Sequence, residues 1–202
     1  VNPAERVAIE KAIRVESLMG PEVTVIEGVT PLDGGTGNEA IRCAYLGTNA
    51  VLCGFTLTNG YALFSRGGGA WCEPSGVLTN CLITGNAADG DGGGVHGGTL
   101  YHCTLSNNQG VSHSDGDGGA VDHAVLYNCV LTGNSGRKGG AADDSTLYNC
   151  VLTGNRARIR GGGAARSVLY NCTVLDNAAR HGGGVSACTV YNSIVYDNRA
   201  LV

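Results

Sequence analysis

Between Gly67 and Asn198 the chain repeats one phrase. A run of glycines is followed by a short apolar stretch, then by an aliphatic residue and an asparagine at a fixed offset. Leu78, Leu100, Leu126, Leu147, Leu169 and Val190 share one column, and Asn86, Asn108, Asn134, Asn155, Asn177 and Asn198 each follow eight residues later. Length varies only between that asparagine and the next glycines, from "SGRK" to "QGVSHSDGD", apart from "CEPSG" inserted in the first copy. Fixed spacing inside a unit with insertions at one corner is the mark of a solenoid, in which each repeat packs only against its neighbours.

Within a unit the pattern has a period of two. In "TLYNCVL", Leu147 and Tyr148 alternate, Asn149 interrupts, and Cys150, Val151 and Leu152 alternate again. A helix needs a period of 3.6 and is weakened by consecutive glycines, so each coil reads as three short strands joined by bends. The repeat length, roughly 21 to 26 residues, suits a parallel β-helix coil. The expected fold is all-β, a single-stranded right-handed parallel β-helix of about eight coils. It forms one domain over 1–202, with less regular coils over 1–60 and tandem coils over 61–202. The early segments "RVAI", "IRVESL", "VTVIEG" and "IRCAYLG" supply the first coils, with a short helix over "PAERVAIEKAIRVESL" as the alternative.

The columns then acquire roles. Leucine and cysteine stack inward on like residues one coil away, about 4.8 Å along the axis. Cys81, Cys103, Cys129, Cys150 and Cys172, continued by Ser193, form one inward column read as free thiols acting as small hydrophobes. A Cys43–Cys53 bridge remains open. Asn80, Asn128, Asn149, Asn171 and Asn192, with His102 as the exception, are expected to form an amide ladder that satisfies buried polar groups at a bend.

Composition narrows the function. The chain has 34 glycines among 202 residues but no three-residue glycine period, which excludes collagen. With 43% hydrophobic residues it is not a disordered linker. A net charge of −4 offers no general attraction to nucleic acid. No run of about 18 apolar residues is present to span a bilayer, and "VNPAERVAIEK" lacks the apolar core of a secretion signal, as in a mature or trimmed chain.

Three constellations could carry chemistry. Trp71, His96, Asp122 and Asp143, flanked by His123, Asp144 and Arg166, fall in one outward row beside the glycine corner. Carboxylates one coil apart can divide the acid and base roles of glycoside cleavage, or the row can bind sugar without chemistry. Tyr127, Tyr148 and Tyr170, with Tyr101 and Tyr191, form an outward aromatic strip suited to stacking on one another or on a ligand. Asp89, Asp91, Asp115 and Asp117, in "DGDGGG" and "DGDGGA", bring carboxylates of adjacent coils to one corner, where calcium is the cation they suit. No other cofactor is called for, and there is no P-loop, G-x-S-x-G elbow or HExxH motif.

These units resemble right-handed parallel β-helix repeat proteins of the pectate-lyase-like superfamily, in particular large exported bacterial proteins with "GGGA…LYNCxLTGN" repeats. Gly118-Gly119-Ala120-Val121 followed by Leu131 and Asn134 is also similar to the paired motifs of chlamydial polymorphic outer-membrane proteins, with leucine in place of their phenylalanine. The resemblance implies an extracellular or cell-surface location and no particular reaction. The expected function is therefore that of a non-catalytic structural or adhesive solenoid. Because "DNRALV" stops where the next glycines would begin, head-to-tail self-association of terminal coils into a filament is part of that expectation. The alternative is a protein that binds or cleaves polysaccharide through the row from Trp71 to Asp143.

Overall fold

In the computed structural model, which describes residues 4–31, 39–112 and 116–201, the chain is all-β and winds as a parallel solenoid. Among the described residues four parallel sheets run along it, three of eight strands and one of seven. Strands β1 (Ala4–Ile9), β2 (Arg14–Glu16) and β3 (Val25–Glu27) form an opening coil, and each later coil adds one strand to all four sheets. The helix weighed for the first residues does not form. β1 instead pairs in parallel with the next coil, from Ala4 opposite Ile41 to Ile9 opposite Leu46. Among the described residues no helix is long and apolar enough to cross a membrane.

The coil has four strands where three were expected. In one representative turn they are Ala142–Asp143, Thr146–Tyr148, Val151–Thr153 and Arg156–Arg160. The fourth lies in the stretch whose variable length made it look like a loop. Its sheet absorbs that variation through shifts in pairing, as between Ala157 and Arg160.

Single left-handed residues make three of the four corners. Asp144 (φ 42°), Asn149 (φ 54°) and Gly154 (φ 66°) each turn the chain and reset the alternation, so that the next residue points inward again. Ser145, Leu147, Cys150, Leu152, Asn155 and Ala157 are all buried for this reason. The glycine run makes the fourth corner. Gly118 adopts φ 65°, and a Cβ on Gly119 would collide with the backbone of the following coil.

The bend column links coils only at the surface, with Asn171 Nδ2 donating to Asn149 Oδ1 at 3.2 Å and Asn192 Nδ2 to Asn171 Oδ1 at 2.7 Å; the buried amide ladder lies in the other asparagine column. Asn80, Asn128, Asn149, Asn171 and Asn192 are exposed corner residues with φ between 44° and 54°. The buried ladder is formed by Asn86, Asn108, Asn134, Asn155 and Asn177, each at most 1% exposed. The Oδ1 of Asn155 accepts from the Asn134 backbone N–H at 2.9 Å and from Asn134 Nδ2 at 3.0 Å. Its Nδ2 donates back to the Leu131 carbonyl at 2.9 Å and forward to Asn177 Oδ1 at 2.9 Å. The left-handed residue before each closing asparagine turns it into the core; the bend asparagines are the turn itself.

The cysteine column is as expected. All nine cysteines are free thiols, including Cys43 and Cys53, and all but the half-buried Cys188 are buried. Burial pushes the thiols of Cys43 and Cys72 up to about 12, keeping them protonated and unreactive.

The two asparagine columns should respond differently to substitution. Asn155→Ala orphans buried partners on two coils and is expected to cost about 2–4 kcal/mol in urea unfolding. Asn149→Gly keeps the left-handed corner and should change stability by less than about 0.5 kcal/mol. In native protein, a thiol reagent should label only Cys188 at an appreciable rate, with the other thiols reacting after unfolding.

Candidate functional site

The first sheet places the outward row in register. Trp71 lies opposite His96, His96 opposite Asp122 and Asp122 opposite Asp143; Ala165 and Ser186 continue the column. The left-handed corner that follows carries His123 and Asp144, with Arg166 one coil on. Across the glycine corner, the last residues of the fourth-sheet segment are Arg66, Asp91, Asp117, Lys138 and Arg160 on successive coils, as the chain of bonds from each glycine N–H to the next coil shows. The tight glycine turn folds these columns toward one another. Two constellations that were separate in the sequence thereby become one charged cluster.

Its geometry centres on two buried carboxylates. Asp122 is 1% exposed, and its Oδ2 lies 2.9 Å from His96 Nδ1 and 2.8 Å from His123 Nδ1. Trp71 meets the His96 ring edge-on at 5.5 Å and lies under the Arg42 guanidinium at 5.2 Å. Asp143 is fully buried and pairs with Arg166, which also reaches Asp144 at 2.9 Å and Asp117 at 3.5 Å. Among the described residues the Oδ1 of Asp143 has no hydrogen-bond partner. Burial pushes the Asp143 carboxyl up to about 7; Arg166 opposes the shift, while the charges of Asp117, Asp144 and Asp122 add to it. Asp91 is raised by burial and by the charge of Asp122, and hydrogen bonding to Asp122 raises His123.

The cluster has a different membership from the expected calcium set. Asp91 is paired with Arg66 at 3.1 Å, and Asp117 with Lys138 at 2.7 Å and Arg137 at 3.4 Å. Asp89 stands apart, accepting from Tyr61 Oη at 2.6 Å and the Phe64 backbone N–H at 3.0 Å. Asp115 lies outside the described residues. Tyr127, Tyr148 and Tyr170 belong to the second sheet, not to this cluster. Their rings stack nearly parallel, with centroids 4.8 and 4.9 Å apart, and Tyr101 and Tyr191 extend the strip.

A second surface escaped the sequence reading. On the fourth sheet, a groove of about 620 Å³ is lined by Arg137, Arg156, Arg158 and Arg180 together with small residues such as Gly110, Gly136 and Ala157. Arg137, Arg158 and Arg180 follow the inward small residues Gly136, Ala157 and Ala179 on successive coils, so their guanidinium groups emerge rung by rung. The alternation in "RARIR" was the available signal. The variable length of this segment from coil to coil masks that alternation in the sequence.

The chain matches no protein-family model and no curated protein.

A group whose folded pKa is raised holds its proton after the unfolded chain has released it, so stability falls with rising pH between the two values. For Asp143 the window runs from its ordinary 3.8 to about 7. In chelator-treated buffer, the urea midpoint should therefore drop between pH 4 and pH 7, and Asp143→Asn should flatten that dependence.

Proposed function

We propose that the chain is a non-catalytic adhesive β-solenoid, working outside the cell, that holds an anionic polysaccharide along its arginine groove. The observation that carries this reading is the placement of Arg137, Arg158 and Arg180 on consecutive coils along one open groove. A polymer that repeats a carboxylate or sulfate along its length meets a guanidinium on each of these three coils, and guanidinium groups bind such oxyanions with two parallel hydrogen bonds. Among the described residues the groove lining contains no aromatic side chain on which nucleic-acid bases could stack, which favours a sugar polymer over single-stranded nucleic acid.

Cleavage fits the geometry less well than binding. Asp122 and Asp143 are the pair expected to act as acid and base, yet they are 1% and 0% exposed and engaged by His96, His123 and Arg166. A general acid must reach the oxygen it protonates, and these carboxylates lie beneath their partners. An extracellular location agrees with the resemblance to exported β-helix repeat proteins. It is also compatible with thiols that the core shields from oxidants.

Binding of purified protein to polygalacturonate is expected, weakening as salt rises, with little retention on neutral dextran. The triple variant Arg156→Ser/Arg158→Ser/Arg180→Ser should lose about tenfold or more in affinity while keeping its β-rich circular dichroism. Equal binding to dextran, an unaffected triple variant, or preference for single-stranded DNA would overturn the proposal, as would release of reducing or unsaturated sugar ends.

A further inference from the structure

We infer that His96, Asp122 and His123 form a binding site for a zinc-class divalent transition metal, with the buried Asp143 beside it. One ligand atom from each of the three residues lies within 4.8 Å of the others. Two imidazole nitrogens and a carboxylate oxygen are borderline donors that suit zinc and its first-row neighbours, whereas calcium and magnesium prefer all-oxygen shells. Three protein ligands also leave a fourth position for water or a bound partner.

The fold builds this arrangement by two independent devices. The parallel pairing of Val95–His96 with Val121–Asp122 sets His96 beside Asp122 across one rung. The left-handed φ of 52° at His123 then sets its own imidazole against the same carboxylate. His123 is 61% exposed, which gives an ion a way in, while His96 is held at 13% exposure against Trp71.

Two imidazoles donating to a carboxylate would account for this trio without a metal, but they leave two facts unexplained. Among the described residues Asp143 Oδ1 is buried without a partner, and a carboxylate oxygen of Asp143 lies within 4.8 Å of one on Asp122. A metal-bound water is the kind of donor that such an acceptor lacks. The cluster also gathers Asp91, Asp117, Asp122, Asp143 and Asp144 against Arg66, Arg137, Lys138 and Arg166. A divalent cation beside Asp122 offsets the remaining negative charge. The inference does not rest on the arginine groove, which shares only Arg137 with the cluster and none of the three proposed ligands.

The test uses the full chain, stripped with chelator, incubated with zinc chloride and dialysed. Mass spectrometry of the metal content should find one zinc per chain, with a raised melting temperature that magnesium and calcium do not reproduce. Cobalt loading should give visible d–d bands without the near-ultraviolet charge-transfer band of thiolate ligation, which separates this site from the cysteines. His123→Asn keeps a residue that tolerates the left-handed corner, and with His96→Gln it should lower zinc affinity about a hundredfold or more. Failure to retain zinc, retention unchanged in the double variant, or a thiolate band in the cobalt spectrum would each overturn the assignment. Because the metal content and cobalt spectrum are read on the unmodified chain, the assignment stays falsifiable if the variant does not fold.

Discussion

The amide of an inward asparagine has two lone pairs and two protons, and in this solenoid every one of them is used along the axis. Asn155 accepts twice from the coil before it and donates once in each direction. The same pattern recurs from Asn86 to Asn177. A polar side chain in a dry core is costly unless fully satisfied; a like asparagine one coil away satisfies this one, and at the first rung the Gly60 N–H and the Cys43 thiol take that place for Asn86. Once this column is fixed in register, the leucines, cysteines and backbone ladders on either side fall into register with it. Slippage by one residue would break all of them together.

That constraint acts inward, so the outward residues vary with little consequence for the wall. The outer faces consequently sort into stripes: a tyrosine strip on the second sheet, a charged cluster at the glycine corner and an arginine groove on the fourth sheet. The tyrosines show what a stripe looks like when the repeat simply copies itself. Aromatic rings at 4.8–5.0 Å stabilise one another and need no ligand. The charged cluster differs, because it is irregular from coil to coil and buries carboxylates whose charges are incompletely matched. Departures from local consistency of this kind tend to mark sites.

Much of the wall was legible in the sequence because it is written in periodicity. The columns of Leu147, Tyr148 and Cys150 point where alternation says they should, since a strand allows only two directions. The error over the asparagines has a physical origin. Asn149 and Asn155 are the same residue type at equally regular spacing, and only backbone dihedrals separate a residue that makes a corner from one that follows it. The fourth strand was missed because its length varies, and the arginine groove was missed with it. The meeting of Asp117 with Arg166 was beyond reach for a different reason: the two are 49 residues apart and are joined through a glycine corner whose angle no spacing reveals.

The fixed interval from the aliphatic column to the buried asparagine has a genetic corollary. Because each coil meets its neighbours through the same set of stacked positions, recombination between copies can delete or duplicate a whole coil and leave every surviving rung with a fitting partner. The molecule can therefore lengthen or shorten without redesign of its interior. On the proposed polysaccharide reading, each added turn adds a further attachment, so grip strength becomes a property set by copy number.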